Sequence, residues 1–370
     1  MKILYLAAIR LPTEKAHGLQ IMKTCEALAD AGAEVELVVP HRKNHLSDDP
    51  FAYYEVRRSF KITQIESIDL VEQGSFGFAS SLISFAESAH FLESFWEADI
   101  VYGRDALVLA QYLFLGRTLV YEAHTKPTFI SKVVARRAAR VVVISEGLRT
   151  AYEKTGIKKE KIILAPDGID LAAFSNSESK NAARTRLGLP NNAKIAMYIG
   201  KIDTGKGAYV LCEAGQKLRD NEVVALIGGE EKQIEDLKKK YPTVHFLGPR
   251  PYRELANNQA AADVLVIPNS KKELDSSTYT SPLKLFSSMA SGIPIVAADV
   301  PALREVLTDA TAYFFIPDDP ESLAHAIANA FEQQAIANEK AAKARDMAEK
   351  FTWKARAKKI LQGLEQLHAC

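Results

Sequence analysis

Short apolar runs alternate with helical patterns along nearly the whole chain, and the alternation stops once and starts again. Ile3–Ala7, Val35–Val39, Ile100–Tyr102, Leu119–Glu122, Val141–Ile144 and Ile162–Leu164 read as buried strands. Helical patterns at His17–Ala31, Phe78–Phe95, Ala106–Leu115, Pro127–Ala138 and Glu146–Lys154 fall between most of them. Such a rhythm calls for a parallel sheet covered by helices on both faces. Phe51–Ile68 shows no clear period. Pro166–Asn191, with Asp167-Gly168, two prolines and several Ser and Asn, reads as a linker. Beyond it, Lys194–Gly200 repeats the strand-into-turn pattern of Lys2–Ala8. Val223–Ile227, Val244–Leu247, Val264–Ile267, Ile295–Ala297 and Ala312–Phe315 complete a second set of strands. Helices are expected near Ala208–Leu218, Ile234–Lys240, Tyr252–Ala260, Pro282–Ala290 and Ser322–Lys350. The fold class is therefore α/β, with two Rossmann-like domains facing each other across a cleft. Ligands of such sheets bind outside the carboxyl ends of the strands.

Length and charge narrow the function classes. A chain of 370 residues exceeds one ordinary core and fits two domains. A formal net charge of +1 argues against a nucleic-acid partner. Cys25, Cys212 and Cys370 are odd in number and far apart, so neither a disulfide framework nor a zinc pattern is expected. Cys25 and Cys212 fall in apolar helical patterns and read as buried thiols. Met1-Lys2 runs straight into a strand with no signal-peptide pattern. Phe76–Trp96, interrupted by Glu87, His90 and Glu93, makes a poor membrane span. A cytoplasmic location is the expectation.

Several segments at predicted strand ends carry chemistry. Thr280–Asp299 reads as a loop, a helix and a buried strand: Ser281 as a hydroxyl cap, Pro282 at the first helical position, Leu283, Phe286 and Met289 on the apolar face, and Gly292 closing the helix. A helix start of this kind is a ready anion site. Gly200-Lys-Ile-Asp-Thr-Gly-Lys206-Gly207 places Lys201 and Lys206 on a Gly-containing loop before a helix, where two ammonium groups suit a diphosphate. Solvated lysines on a surface turn are the plainer alternative. The loop lacks the P-loop spacing, and no G-x-G-x-x-G follows the first strand. His17 and Gly18 end a long loop after that strand. His124 follows Leu119-Val-Tyr-Glu-Ala and is placed to bond a sugar hydroxyl or to act as acid or base, with a structural histidine as the alternative. Arg104 and Asp105 occupy the equivalent edge after Gly103. Lys126, Lys132, Arg136, Arg137 and Arg140 make the next helix basic, either as a solvated face or as a surface for an anionic acceptor or lipid headgroups. No Asp-x-Asp pair sits at a strand end to hold Mg²⁺.

Taken in order, the His17-Gly18 loop, Ala165-Pro-Asp-Gly-Ile-Asp170 with Phe174, Gly200-Lys201 to Lys206-Gly207, and Ser281-Pro-Leu-Lys to Asp299 resemble the retaining glycosyltransferases of family 4, which have the GT-B fold. The resemblance spans essentially the whole chain. It implies an acceptor-side domain over 1–172, a nucleotide-sugar domain over 173–350, and a last helix within 351–370, opened by Phe351-Thr-Trp353, that packs back on the first domain. It also implies a hexose-type donor carried on a nucleoside diphosphate and metal-independent transfer with retention. Lys201 and Lys206 would stabilise the leaving diphosphate, and His124 the charge on the sugar. Donor contacts are implied for His17, Gly18, Gly200, Tyr279, Thr280, Ser281, Pro282, Leu283 and Ser287, and for Arg250 and Pro251 beside the base. No cofactor is implied. The acceptor would be a glycan, a lipid-linked sugar or a small molecule, with peripheral membrane contact through the Lys132–Arg140 helix. One departure stands out: the family's Glu-x7-Glu falls here on Tyr279 and Ser287. A hydroxyl offers the ribose less than a carboxylate does, so a GT-B pseudoenzyme or nucleotide-sugar binding module is the rival reading. A nucleotide-sugar epimerase is a further alternative, although no acid/base carboxylates are located for it.

Overall fold

A computed structural model describes residues 1–367. Cys370 lies outside the described residues; Cys25 and Cys212 are buried free thiols. The chain divides into two compact units. One comprises Met1–Asp167 with the segment from Trp353 onward, and the other is Gly168–Thr352.

The first unit is built on β1 (Lys2–Leu6), β2 (Glu34–Pro40), β3 (Lys61–Ile65), β4 (Ile100–Gly103), β5 (Leu119–Ala123), β6 (Arg140–Val143) and β7 (Ile162–Leu164). They pair in parallel in the order β3-β2-β1-β4-β5-β6-β7. β4 and β5 are buried along their full length, as a strand covered on both faces must be. The final helix, Trp353–Glu365, packs against the helix Ala16–Asp30.

The second unit holds β8 (Lys194–Ile199), β9 (Glu222–Ile227), β10 (Val244–Phe246), β11 (Val264–Ile267), β12 (Ile295–Ala298) and β13 (Tyr313–Phe315). These are also parallel, in the order β10-β9-β8-β11-β12-β13. Its larger core joins Tyr198, Leu211, Val266, Phe286, Met289 and Val296, with Phe286 stacked 5.0 Å from the Phe351 ring. In both sheets the strand order reverses beside the first strand of the unit, between β1 and β4 and between β8 and β11. Loops leaving those carboxyl ends flank a ready-made crevice within each unit.

Several sequence-based expectations need correction. Phe51–Ile68 contains β3, an edge strand whose Lys61-Ile-Thr-Gln-Ile hides its period because only Ile65 is buried. The linker segment contains a helix, Lys180–Leu187, capped by Ser179 and closed by Gly188 in the left-handed region. Its Ala183 and Leu187, one turn apart, pack into the second unit's smaller core. Phe78–Phe95 is two helices, Gly74–His90 and Glu93–Glu97. Extended backbone at Leu92 parts them, and the Trp96 indole N–H donates to the freed His90 carbonyl at 3.1 Å. Ser322–Lys350 likewise breaks at Gln333 into Pro320–Glu332 and Gln334–Ala348. The basic helix ends at Arg137, not Arg140. Arg140 opens β6 and spends its guanidinium on the carbonyls of Gly363 and Ala139.

Candidate active site

In the first unit, side chains from β4, β5 and two helices converge on Glu122. Its carboxylate is fully buried. Oε1 lies 2.5 Å from His124 Nε2, accepts from Gln20 Nε2 at 2.8 Å, and pairs with Arg356 Nη2 at 2.7 Å. Oε2 accepts from the Tyr102 hydroxyl. Arg104 donates to Gln20 Oε1 at 2.7 Å, which turns the Gln20 amide N–H toward Glu122. Burial alone would raise the Glu122 pKa, but Arg356, His124 and Arg104 outweigh it and hold the group well below the usual carboxylate range. Glu122 is therefore an acceptor only.

His124 retains 17% of its side-chain exposure. Burial, then the positive charge of Arg104, lowers it to about 4 against the opposing pull of Glu122. The imidazole is thus neutral at pH 7. Facing an acceptor, Nε2 carries the proton and Nδ1 keeps its lone pair; this tautomer is assigned from the hydrogen-bond network. His17, in the first turn of Ala16–Asp30, is half-buried and is lowered to about 4 by burial and then by Arg104. Gly18 has a packing role as well. A Cβ there would stand 2.1 Å from the Tyr54 hydroxyl, which bridges the Thr13 amide and carbonyl.

In the second unit, the loop after β8 and the loop after β11 meet at the switch point. Ser276 Oγ donates to the Gly205 carbonyl at 2.7 Å, and the Ser270 amide donates to the same oxygen at 3.1 Å. The Glu273 carboxylate lies against Gly205, and Gly207, at φ +71°, passes close to the Pro268 carbonyl. Gly207 has no room for a side chain, whereas a Cβ at Gly205 would meet only the movable end of Glu273. Asp203 tightens the loop by accepting from the Lys206 amide at 2.7 Å and pairing with Lys201 Nζ at 3.3 Å. Lys201 remains 79% exposed. Beneath Gly200 lies Tyr198, whose hydroxyl donates to the Lys201 carbonyl at 2.7 Å. Gly228 abuts the Gly200 carbonyl and donates to the Gly248 carbonyl at 2.9 Å, which brings the backbone before Arg250 and Pro251 alongside. The Arg250 and Pro251 side chains are exposed.

The helix after this loop begins at Leu283. Pro282, in extended conformation, holds the cap position that the sequence assigned to Ser281. Pro282 also has no N–H to offer an anion. The first helical amides are those of Leu283 and Lys284, while Tyr279 closes a π-helical turn, Asp275–Tyr279, and Thr280 is extended. Gly292 ends the helix in the left-handed region, as expected.

Two features here escaped sequence reasoning. Lys284 Nζ is buried, has no hydrogen-bond partner among the described residues, and sits 4.8 Å above the Tyr198 ring. Burial, then the neighbouring Lys206, lowers it to about 7, with Asp203 opposing. Its only sequence signal was its place in Ser-Pro-Leu-Lys. Ser287 is buried, donates to the Lys284 carbonyl at 3.0 Å and accepts from Gln259 at 3.2 Å, so its hydroxyl is already used inside the unit.

Two doubly wound parallel units in one chain are the architecture of the GT-B fold. The family model "Glycosyltransferase Family 4" matches residues 18–173, and "Glycosyl transferases group 1" matches residues 193–333. The first half of the chain thus matches a family 4 glycosyltransferase domain and the second half a group 1 glycosyltransferase domain. The chain is similar to the D-inositol 3-phosphate glycosyltransferase of Kineococcus radiotolerans, 27% identical over 256 residues that cover 62% of this chain and 57% of that one. A second such enzyme, from Xylanimonas cellulosilytica, is 25% identical over 58% of this chain and 53% of its own. The chain thus spans little more than half the length of these relatives. In structure it resembles sucrose-phosphate synthase from Thermosynechococcus elongatus (TM-score 0.81, 22% identity, covering 100% and 99% of the two chains). It also resembles Anabaena HepE in complex with UDP and glucose (TM-score 0.75, 20% identity, 99% of each chain). Among the described residues no helix is long and apolar enough to cross a membrane.

Proposed function

We propose that this chain moves a hexose-type sugar from a nucleoside-diphosphate donor to an acceptor hydroxyl, with retention at the anomeric carbon. The observation that carries the reading is the lysine cluster at the β8/β11 switch point. Lys201 and Lys206 stand on a glycine-lined loop beside a helix start, and Lys284 adds a buried amine with no hydrogen-bond partner among the described residues. An unpaired buried amine is costly unless an anion completes it. A diphosphate on the loop supplies that anion.

The reaction breaks the bond between the anomeric carbon and the diphosphate oxygen and forms a bond to the acceptor oxygen on the same face. The departing diphosphate takes the acceptor's proton. The lysines stabilise the charge that develops on the leaving group, which is the role a divalent ion plays elsewhere. His124, neutral with Nδ1 as acceptor, holds a sugar hydroxyl. Thr280, Ser281 and the amides of Leu283 and Lys284 face the phosphates. Backbone beside Gly248–Pro251 holds the base. UDP and UDP-glucose, bound by HepE, are the first donors to test. Lys206→Ala is expected to weaken UDP binding by roughly tenfold or more, and EDTA to leave turnover unchanged. Full UDP affinity in Lys206→Ala would remove the site assignment.

On the reading that Ser287 takes the place of the family's ribose carboxylate, the commitment of its hydroxyl to Gln259 and Lys284 supports the rival reading of a nucleotide-binding module. Tight UDP binding without turnover is the outcome that distinguishes it. For the acceptor side, the helix Phe129–Arg137 supports a lipid-linked substrate. It presents Lys132, Arg136 and Arg137 together with Phe129 and Ile130, and Arg137 lies over the exposed Phe114 ring.

A further inference from the structure

Arg356 reaches Glu122 from the far end of the sequence, on the helix that returns to the first unit. Its guanidinium also donates to the carbonyls of Ala165 and Pro166, so its position is fixed from two sides. Arg356 is 3% exposed and Glu122 not at all. A carboxylate so deeply buried stays ionised only with a cation at hand. Once ionised it accepts and never donates, so it dictates which imidazole nitrogen of His124 bears the proton.

We propose that Arg356 is a positioning residue for His124. Acting through Glu122, it fixes the imidazole proton on Nε2 and presents Nδ1 as the acceptor for a hydroxyl of the bound sugar. This rests on the reading that His124 faces the donor. The other charged or titratable groups around the pair are Arg104, Asp167 beyond β7, Tyr5 on β1, Tyr102 on β4 and Cys25 on the helix Ala16–Asp30. Burial pushes both tyrosines and the thiol up, so they stay neutral. Arg356 is thus the cation in direct contact with the Glu122 carboxylate, while Arg104 acts through Gln20.

The test is nitrogen-15 NMR of the full chain with labelled histidine, the His124 signal being the one lost in His124→Asn. The wild type is expected to show a neutral, Nε2-protonated ring from pH 8 to about 5. Arg356→Met is expected to raise the His124 titration midpoint by about one pH unit or more. The same variant should lower kcat by roughly tenfold, in the manner of a lost orienting charge, with donor KM little changed. Arg356→Lys should restore the wild-type tautomer. An Arg356→Met protein with wild-type tautomer and titration overturns the proposal. If that variant does not fold, Glu122→Gln/Arg356→Met leaves no lone buried charge and carries the test. Mixed tautomers are expected there, because an amide can present either its N–H or its oxygen, and a single Nε2–H form overturns the proposal. Full turnover in His124→Ala would instead overturn the donor-facing reading and leave the tautomer result standing.

Discussion

Lys284 makes diphosphate binding depend on pH in a way that few other arrangements would. In the unliganded protein its amine is lowered to about 7. A bound diphosphate favours the charged form, so the amine's pKa in the complex is higher than in the free protein. Binding above pH 7 therefore takes up a proton, and affinity falls as pH rises through the free-protein value. With a midpoint of 7 and a bound value above 9, the weakening from pH 7 to pH 9 is about fiftyfold, roughly 2 kcal/mol. Isothermal titration with UDP, in buffers of different ionisation enthalpy, reads both the affinity and the proton. Lys284→Met should bind roughly fiftyfold more weakly than wild type at pH 7, show no pH slope above it, and meet the wild-type curve near pH 9. Wild-type affinity that is flat between pH 7 and pH 9 would refute the reasoning. So would an equal slope in Lys284→Met, because the titrating group would then lie elsewhere.

Three further outcomes are expected. Gly207→Ala should weaken UDP binding by more than about tenfold and lower the Tm, since left-handed backbone costs a non-glycine residue about 1 kcal/mol and its Cβ would stand 1.6 Å from the Pro268 carbonyl; an unchanged Tm with unchanged affinity would contradict the loop geometry. Ser287→Ala should change UDP affinity by less than about twofold, because the hydroxyl already serves Gln259 and the Lys284 carbonyl; a large loss in titration calorimetry would return the ribose contact to Ser287. Lys132→Ser/Arg137→Ser should cut co-sedimentation with anionic vesicles by roughly thirtyfold, at about 1 kcal/mol per basic residue near such a surface; equal pelleting of variant and wild type would remove the membrane reading.

The sheets were legible because strands buried on both faces write themselves as apolar runs. Ile100-Val-Tyr and Val264-Leu-Val-Ile needed no partner to be recognised. β3 was not legible, since an edge strand with one buried side chain carries no period. The helix Lys180–Leu187 hid in a polar segment because a two-residue apolar stripe is all it presents. Its buried Arg184 looks like a surface residue until Asp263 appears 2.5 Å away. The glycine loop and the Ser-Pro-Leu-Lys turn could be placed from spacing alone. What Ser287 and Lys284 do there could not, because burial and hydrogen-bond saturation are set by neighbours such as Gln259 and Tyr198 on other elements. The Glu122–Arg356 pair has no local signature at all. It exists only because the last helix packs against the helix after β1.

The most direct measurement is release of nucleoside diphosphate from UDP-, GDP- and ADP-sugars by the wild type and Lys206→Ala, with and without candidate acceptors. The account predicts turnover of at least one donor by the wild type, with sugar recovered on an acceptor or as hydrolysed product, and a drop of roughly a hundredfold or more in Lys206→Ala. Tight nucleotide binding with no turnover of any donor, or full turnover in Lys206→Ala, would contradict it.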